Sequence, residues 1–372
     1  MSKEIVIVAG ETSGDEHASG LVREINRLDP ELSFFGIGGN GLVREGVALL
    51  EHIDTMAVMG FTEVISRYGH LRRVYNRLLE EVEARKPARA ILVDYPGFNL
   101  RLAKSLCILG VPITYFISPQ LWAWREKRVE IIRRCVDQMI CIFPFEEAWY
   151  KERGVNAIFI GHPLMDSKPP RCSREEFATR HGIDEDEAII CLMPGSRQQE
   201  VDRHMPAMVQ AVAQIREQRP EVKAVIAKSE IVSIEPPPLD GIVVEDEEPI
   251  LSLIYADLAL IASGTATVEA ALYGIPSVVI YRLSPLSWAI SRKVANTSYV
   301  AMPNLIAGRE VFPELLQGDA TAERISHHLT KLLDSAEKQE TIKEELREVR
   351  REMGRPGALG RGASVIVDQM WD

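Results

Sequence analysis

The chain has 372 residues, more than one hydrophobic core usually serves, so we expect two domains of α/β size. Its formal net charge of −11 excludes a general nucleic-acid binder, which needs clustered Lys and Arg. Its five cysteines form no CxxC pair, which indicates a reducing compartment, and no apolar run approaches the ~18 residues that would cross a membrane.

Apolar runs rich in β-branched residues alternate with helical segments in the first half of the chain. This alternation is typical of a parallel sheet covered on both faces. The predicted strands are 5–10, 33–39, 89–94, 112–118 and 138–143. Helix-like apolar spacing occurs in 17–29 and 99–110.

A second set of strands begins after residues 161–176, where prolines and charges interrupt the pattern and predict a linker. These strands are 188–196, 222–227, 241–245, 258–264 and 276–281. We therefore predict two doubly wound, Rossmann-like domains, 1–165 and 166–345, with ligands at the carboxyl ends of their strands. The remaining residues, 346–372, are expected to form a helical tail that crosses back to the first domain or is exchanged in a dimer.

The N-terminal stretch "VAGETSGDEH" (8–17) is a glycine-containing turn between a strand and a helix. Its acids would repel a phosphate, whereas Glu11, Ser13 and Asp15 suit sugar hydroxyls and an amide. The alternative is a tight turn in which Ser13 and Asp15 cap the following helix.

A basic amphipathic segment follows at residues 61–78. Its apolar face includes Phe61, Val64 and Ile65, and nearby Arg67, Arg72 and Arg73 have no acid among them. In an acidic protein this pattern indicates contact with an anionic membrane surface. The alternative is a helix packed on the core with a solvated basic face.

Asp94 stands at the carboxyl end of a strongly apolar strand, in "ILVDYPGFN" (91–99). An acid at this edge is a candidate general base. It could instead cap the next helix, although Asn99 is the better candidate for that cap.

The segment "SPQLWAWREKR" (118–128) contains Trp122 and Arg125, which could stack on a sugar or bind an anion. The alternative is that these residues simply begin an amphipathic helix.

Two turns in the second half have the features of phosphate sites. The turn at Ser263, Gly264 and Thr265 presents backbone N–H groups and hydroxyls at a helix N-terminus, and Glu269 lies where it could bind ribose hydroxyls. The alternative is an ordinary turn with a capping Thr and a solvated Glu.

The other turn comprises Gly195, Ser196 and Arg197, and its guanidinium could clamp the oxygens of a departing diphosphate. A solvated arginine is the alternative. The eight histidines form no HxxxH or HExxH pattern, so no metal site is expected.

Nine blocks of sequence, in order, resemble the lipid-A-disaccharide synthase family, which is glycosyltransferase family 19. They are "VAGETSGD", "AVMGFTEV", "DYPGFN", "SPQLWAWR", "FPFE", "FIGHPLMD", "PGSRQQEV", "SGTATVEAAL" and "MPNLIAGREVFPELLQ". The resemblance implies the GT-B fold and an inverting, metal-free transfer that joins UDP-2,3-diacylglucosamine to 2,3-diacylglucosamine 1-phosphate (lipid X). It also implies a homodimer on the cytoplasmic face of the inner membrane of a Gram-negative bacterium.

The resemblance also implies roles for particular residues. Asp94 matches the family's essential aspartate, Arg197 and the 263–265 turn would hold the UDP diphosphate, and Glu269 the ribose. Asn304 would approach the donor, and Arg309 and Glu310 lie in the same block. Gly97 departs from the family pattern, which commonly has an acid there, so the role of base falls on Asp94.

Two other functions remain open at this point. A UDP-N-acetylglucosamine 2-epimerase-like isomerase would share the fold and the nucleotide site, and would turn over a UDP-sugar without a lipid acceptor. A non-catalytic nucleotide-sugar binding protein would be stabilised by ligand without releasing UDP.

Overall fold

The computed structural model describes residues 3–56, 63–168, 170–184, 187–237, 239–284, 288 and 297–371, with only the backbone described for 63–68 and 371. Contacts divide the chain into two units. The first unit contains residues 1–166 and 353–372, and the second contains residues 167–352.

A parallel sheet of seven strands forms the centre of the first unit as described. Its order is β3-β2-β1-β4-β5-β6-β7. The strands are β1 (Glu4–Ala9), β2 (Ser33–Gly38), β3 (Ala48–His52), β4 (Arg89–Val93), β5 (Ile113–Phe116), β6 (Gln138–Cys141) and β7 (Ala157–Phe159). The central strands are buried along almost their whole length because helices cover both faces.

The helices of this unit follow the strands in alternation. They are α1 (Thr12–Leu28), α2 (Asn40–Arg44), α3 (Ile53–Met56), α4 (Glu63–Arg85), α5 (Pro96–Ile108), α6 (Val129–Cys135) and α7 (Pro144–Lys151). Each longer helix buries one apolar stripe; α1, for example, buries Leu21, Val22 and Ile25.

A parallel sheet of six strands forms the second unit as described, in the order β10-β9-β8-β11-β12-β13. The strands are β8 (Ile189–Met193), β9 (Lys223–Ala227), β10 (Ile242–Glu245), β11 (Leu258–Ala262), β12 (Ser277–Tyr281) and β13 (Glu314–Leu316). The helices are α8 (Arg174–His181), α9 (Gln198–Arg216), α10 (Ile250–Ile254), α11 (Thr265–Tyr273), α12 (Met302–Ala307), α13 (Ala322–Leu333) and α14 (Ala336–Glu352).

The last helix, α15 (Ala358–Trp371), belongs to the first unit and packs on α1. Asp166 accepts hydrogen bonds from the N–H groups of Ala358 (3.3 Å) and Leu359 (3.1 Å) at its start. Near its end, Arg89 donates to the carbonyl oxygen of Gln369 at 2.9 Å. A Cβ on Gly20 would lie 2.6 Å from Leu359, so the glycine allows the two helices to approach closely.

The strand order places a topological switch point in each sheet. In the first unit β1 and β4 are neighbours, and the chain leaves them toward opposite edges of the sheet. In the second unit β8 and β11 are related in the same way. Ligands of open α/β sheets bind at the carboxyl ends of such strand pairs, so the turns after these four strands are the candidate site positions.

The predicted α/β fold with two Rossmann-like sheets is confirmed. Every predicted strand is present, but β3, β7 and β13 were not predicted. β7 and β13 have three residues each, and β3 is only partly buried. All three lie at an edge of their sheet, where a continuous apolar run is not required.

Candidate active site

Asp94 follows β4 directly and has a strained backbone. Its φ is 41° and that of Tyr95 is 47°, a left-handed conformation that costs non-glycine residues about 1–3 kcal/mol each. Neighbouring groups hold this conformation. The N–H of Asp94 donates to Phe116 at 3.1 Å, and its carbonyl oxygen accepts from the hydroxyl of Tyr115 at 2.6 Å.

Asn99 also holds this strand end and was not predicted to do so. The helix α5 begins at Pro96, so the prediction that Asn99 caps it was wrong. Asn99 is buried, and its side-chain amide donates to the carbonyl oxygens of Val93 (3.0 Å) and Asp94 (2.9 Å). The sequence signal for this role is a polar residue one turn inside an apolar helix. Burying such a side chain costs free energy unless it forms hydrogen bonds with buried partners.

The carboxyl group of Asp94 is poised for proton transfer near neutral pH. Burial, together with the negative charge of Glu11, raises its pKa to about 7, against a hydrogen bond from the backbone of Tyr95 that lowers it. A general base works best when its pKa lies near the working pH. Asp94 therefore has both the position and the acidity of a base.

Glu11 lies on the neighbouring strand end, after β1, at the N-cap position of α1. Its side chain makes no capping hydrogen bond and is exposed. Gly10 lies beside it, and a Cβ there would lie 2.1 Å from the Tyr95 ring, so only glycine lets this ring cross the turn. Ser13 is exposed on the first turn of α1. The two acids Glu11 and Asp94 thus follow the two neighbouring strands that form the switch point of the first sheet.

Asp15 does not have the predicted role of contacting a sugar. Its buried carboxylate accepts from the N–H groups of Gly39 (2.6 Å), Gly41 (2.7 Å) and Leu42 (3.2 Å). These are groups at the start of α2, which would otherwise lack partners. The residue therefore fixes the β2–α2 turn, and it does not cap α1 either.

The segment after β5 is anchored through Glu146. This buried carboxylate accepts from Ser118 Oγ (2.6 Å), Trp122 Nε1 (3.0 Å) and the N–H of Phe143 (3.1 Å). Burial raises its pKa to about 7, against these hydrogen bonds. Sequence reasoning missed Glu146, although the "FPFE" block contains it.

Trp122 is consequently not placed to stack on a sugar, the role that its sequence context predicted. It is only 9% exposed and its N–H is donated to Glu146. Trp124 is 40% exposed, and the guanidinium of Arg125 lies over its ring at 4.7 Å. The surface suited to a sugar is therefore formed by Trp124 and Arg125.

In the second unit, the carboxylate of Glu200 covers the turn that follows β8. Gly195 has a φ of 125°, and Glu200 folds back over it. The carboxylate accepts from the N–H of Ser196 at 3.2 Å and lies 3.3 Å from the guanidinium of Arg197. Glu200 thus occupies the groups that were predicted to hold a diphosphate.

The turn after β11 is more open. Gly264 is the N-cap of α11, and Gly264 and Thr265 are exposed at the helix N-terminus. Ser263 donates its hydroxyl to the carbonyl oxygen of Val300 at 2.9 Å, which fixes the turn. Glu269, one turn into α11, is half-buried; burial, and after it the charge of Glu269, raises the pKa of Tyr273. This turn has the geometry of an anion site.

Asn304 is not available to a ligand, contrary to its predicted role. Its amide nitrogen donates to Phe312 (2.8 Å) and Glu314 (2.9 Å), and its oxygen accepts from the N–H groups of Val311 and Phe312 at 2.8 Å. These bonds use the full capacity of the amide. Asn304 therefore ties α12 to β13.

Arg309 and Glu310 lie at the surface near α14. Arg309 pairs with Glu345 (3.2 Å) and Glu348 (3.0 Å) of that helix. Glu310 lines an open groove of about 270 Å³ with His328, Lys331 and Lys338 among others. Neither residue lies in the turns after β8 and β11.

The predicted membrane segment is only partly described. Phe61 lies outside the described residues. The backbone of Val64, Ile65 and Arg67 belongs to α4, but their side chains lie outside the described part of the structure. Arg72 and Arg73 are exposed. Farther along the same face, Leu71, Tyr75 and Leu78 pack into the core of the first unit, so from residue 71 the core-packed alternative applies.

No cluster of three His, Cys, Asp or Glu side chains suited to a metal ion occurs in the described ranges. Over the same ranges, no helix is long and apolar enough to cross a membrane.

The fold is that of the GT-B class of sugar-nucleotide enzymes. A UDP-GlcNAc 2-epimerase from Neisseria meningitidis, bound to UDP-GlcNAc, superposes with a TM-score of 0.68 at 11% identity, over 99% of each chain. The calicheamicin glycosyltransferase CalG4 superposes with a TM-score of 0.59 at 14% identity, over 99% of this chain and 98% of that one. At these identities the likeness shows the fold alone.

Sequence similarity identifies the family. The family model "Lipid-A-disaccharide synthetase" matches residues 5–360. A lipid-A-disaccharide synthase of Myxococcus xanthus is 41% identical (98% of this chain, 97% of that one), and one of Syntrophus aciditrophicus is 40% identical with the same coverage. The chain belongs to the lipid-A-disaccharide synthase family, and it is therefore a glycosyltransferase of lipid A biosynthesis rather than an epimerase.

Proposed function

We propose that the enzyme transfers 2,3-diacylglucosamine from UDP to the 6-hydroxyl of 2,3-diacylglucosamine 1-phosphate, with Asp94 as the general base. The observation that carries this assignment is the strained, half-buried Asp94 at the switch point of the first sheet, with its pKa raised to about 7. Membership of the family supports the proposal, since the two substrates and a β(1→6) disaccharide product are what the family resemblance implies.

The transfer is a single displacement. Asp94 takes the proton of the 6-hydroxyl while that oxygen bonds to the anomeric carbon of the donor. The bond from this carbon to the diphosphate oxygen breaks, and UDP leaves with the electron pair. Because attack and departure occur on opposite faces, the anomeric configuration inverts.

The second unit is proposed to bind UDP. The exposed N-terminus of α11 at Gly264 and Thr265 suits the diphosphate, and Glu269 suits the ribose. When Glu200 moves away, the same site also includes the turn at Gly195, Ser196 and Arg197.

The transfer is also proposed to need no metal ion. UDP release that persists undiminished in excess EDTA would support this.

Acceptor-dependent UDP release tests the proposal. The donor alone should give no UDP and no isomerised sugar, whereas adding the diacylglucosamine 1-phosphate should start release. Asp94→Asn should lower kcat by about 10²- to 10⁴-fold, the usual contribution of general acid–base catalysis. Asp54→Asn, at an exposed side chain of the same unit, is the matched control and should not change kcat. Binding of the donor without any release would make the protein a non-catalytic binder instead.

We also propose that the enzyme works as a homodimer at the cytoplasmic face of the inner membrane. The exposed Arg72 and Arg73 support contact with anionic lipid. Changing Arg67, Arg72 and Arg73 to Glu should release the protein from anionic vesicles in a sedimentation assay, and unchanged sedimentation would refute the contact. Light scattering in detergent would test the dimer.

A further inference from the structure

Arg125 and Arg128 form a pair of cations at the start of α6. Arg125 precedes a single 3₁₀ turn (Glu126–Arg128) and Arg128 ends it, and the N–H of Arg128 donates to the carbonyl oxygen of Arg125 at 2.9 Å. The two guanidinium groups lie near enough to each other that the charge of Arg125, after burial, lowers the pKa of Arg128. Arg125 has a φ of 57°, a left-handed backbone conformation that residues other than glycine rarely adopt.

The acids of the same segment are engaged elsewhere. Glu126 pairs with Arg153 at 2.8 Å, and Glu130 pairs with Arg133 at 2.7 Å and with Arg134. Within the part of the chain that the structure describes, neither Arg125 nor Arg128 forms an ion pair. Two neighbouring guanidinium groups thus repel each other without a compensating acid, an arrangement that an anion would stabilise.

This pair lies close to the proposed base. The segment follows β5, the neighbour of β4, which ends at Asp94. Arg128 is near enough to Tyr115 for its charge to lower the pKa of the phenol, against the stronger effect of burial. The hydroxyl of Tyr115 donates to the carbonyl oxygen of Asp94 at 2.6 Å. Tyr115 therefore interacts with both Arg128 and the residue that would activate the acceptor.

We propose that Arg125 and Arg128 bind the phosphate monoester of the acceptor. This inference rests on the proposed function. In a hexopyranose, C1 and the C5 that carries the 6-hydroxymethyl group are both bonded to the ring oxygen, so the 1-phosphate lies on the same side of the ring as the 6-hydroxyl and its site must lie close beside the base. Guanidinium groups give phosphate oxygens paired, charge-assisted hydrogen bonds, and the exposed Trp124 offers a flat surface next to them. The pair selects the phosphorylated acceptor over its dephosphorylated form.

Steady-state kinetics in nonionic detergent micelles tests the pair. The diacylglucosamine acceptor is supplied with and without its 1-phosphate, and kcat/KM is measured for each. The variant Arg125→Gln/Arg128→Gln should raise the KM of the phosphorylated acceptor by roughly 10- to 100-fold, as expected for the loss of charged hydrogen bonds. The KM of the donor should stay unchanged, and the preference for the phosphate should fall toward one. Arg134→Gln, at an arginine engaged by Glu130, is the control and should leave the preference intact.

The outcomes separate this inference from the proposed function. If the wild-type enzyme releases UDP with the acceptor and the double variant keeps its preference, the inference is wrong and the function stands. If the wild-type enzyme releases no UDP, the function itself fails. Should the double variant unfold at a lower temperature, the charge-retaining Arg128→Lys replaces it, and it should show an intermediate loss of preference.

An anionic lipid headgroup is the other source of a phosphate. Sedimentation with vesicles of phosphatidylcholine alone, or with added phosphatidylglycerol, distinguishes the two. If the double variant loses binding to the anionic vesicles but keeps its preference in micelles, the pair is a membrane contact and the inference is overturned. Equal vesicle binding with a lost preference supports the acceptor site.

Discussion

Asn99 holds Asp94 in place by donating its side-chain amide to the carbonyl oxygen of Asp94 at 2.9 Å. The same amide reaches the carbonyl oxygen of Val93 at 3.0 Å, so it binds two successive residues as the strand ends. Together with the hydroxyl of Tyr115, it supports the left-handed backbone that directs the carboxyl group of Asp94. Asn99 is uncharged and is not proposed to contact substrate, yet through these hydrogen bonds it determines where the base lies.

Asn99→Ala should lower kcat by roughly 10- to 100-fold and the free energy of unfolding by about 1–3 kcal/mol, because the carbonyl groups of Val93 and Asp94 each lose a donor. The apparent pKa of the kcat profile should also move, which a purely structural loss would not cause. Asn156→Ala is the matched control, since its amide also bridges a backbone carbonyl and a side chain in the first unit, at 3.0 and 2.9 Å. Unchanged kcat and pH dependence in Asn99→Ala would refute the positioning role.

The pH dependence of the wild-type enzyme should follow Asp94. With its pKa raised to about 7, the carboxyl group is protonated and inactive below neutrality. We therefore expect kcat/KM to rise about tenfold per pH unit up to about pH 7 and then to level off. Glu11→Gln removes the neighbouring negative charge and should shift this inflection to lower pH. A profile that is flat from pH 5 to 8 would contradict the assignment.

Asp94→Asn should stabilise the protein while inactivating it. The folded pKa lies above the unfolded value, so the folded state favours the protonated acid and the wild type loses stability as pH rises toward about 7. The uncharged amide avoids this loss. The melting temperature of the variant should exceed that of the wild type at pH 8, and the difference should shrink as pH falls toward 4. A lower melting temperature at pH 8 would show that the carboxylate is well solvated.

Glu146 should control the segment that contains Trp124 and Arg125. Glu146→Ala leaves Ser118 Oγ and Trp122 Nε1 without an acceptor, and should lower the free energy of unfolding by about 1–3 kcal/mol. The KM of the acceptor should rise as the segment loosens. Glu146→Gln retains an oxygen for both donors and should have a near-normal KM. An equal loss in both variants would indicate that the charge matters and not the hydrogen bonds.

Glu200→Gln should tighten the binding of UDP about 3- to 10-fold in calorimetry. The wild-type carboxylate lies against Ser196 and Arg197 and competes with a diphosphate for them, and removing a negative charge near a helix N-terminus favours an incoming anion. Glu217→Gln, at the far end of α9, should have no effect. Weaker binding in Glu200→Gln would show instead that the carboxylate orients Arg197 for the nucleotide.

The sequence predicted the strands and the turns of the candidate site but not the partners of its polar residues. Long apolar runs identified every strand that ends at a switch point, and these strand ends located Asp94, Arg197 and Gly264 in their turns. Asp15, Trp122 and Asn304 were assigned to ligands, whereas each is bound within the protein. A polar side chain in a turn has the same local pattern whether its partner is a ligand or a distant segment.

The distances along the chain explain why these partners were missed. Asp15 is bound to residues 24 to 27 positions away, and Trp122 to a residue 24 positions away. For Asn304 the partners lie only 7 to 10 positions away, but they follow a turn whose path is set by the pairing of β13 with β12. Such contacts depend on the tertiary fold and leave no periodic signal in the sequence.

The position of α15 bears on how the chain folds as it is synthesised. The groove on α1 beside Gly20 accepts Leu359, and Ala363 and Ile366 of α15 are fully buried. The ribosome completes the sheet of the first unit long before it makes these residues, so that apolar surface stays uncovered while the whole second unit emerges. Uncovered apolar surface of this kind is prone to aggregation during synthesis, and we expect α1 to become protected from proteolysis only in nascent chains that already include residues 358–371.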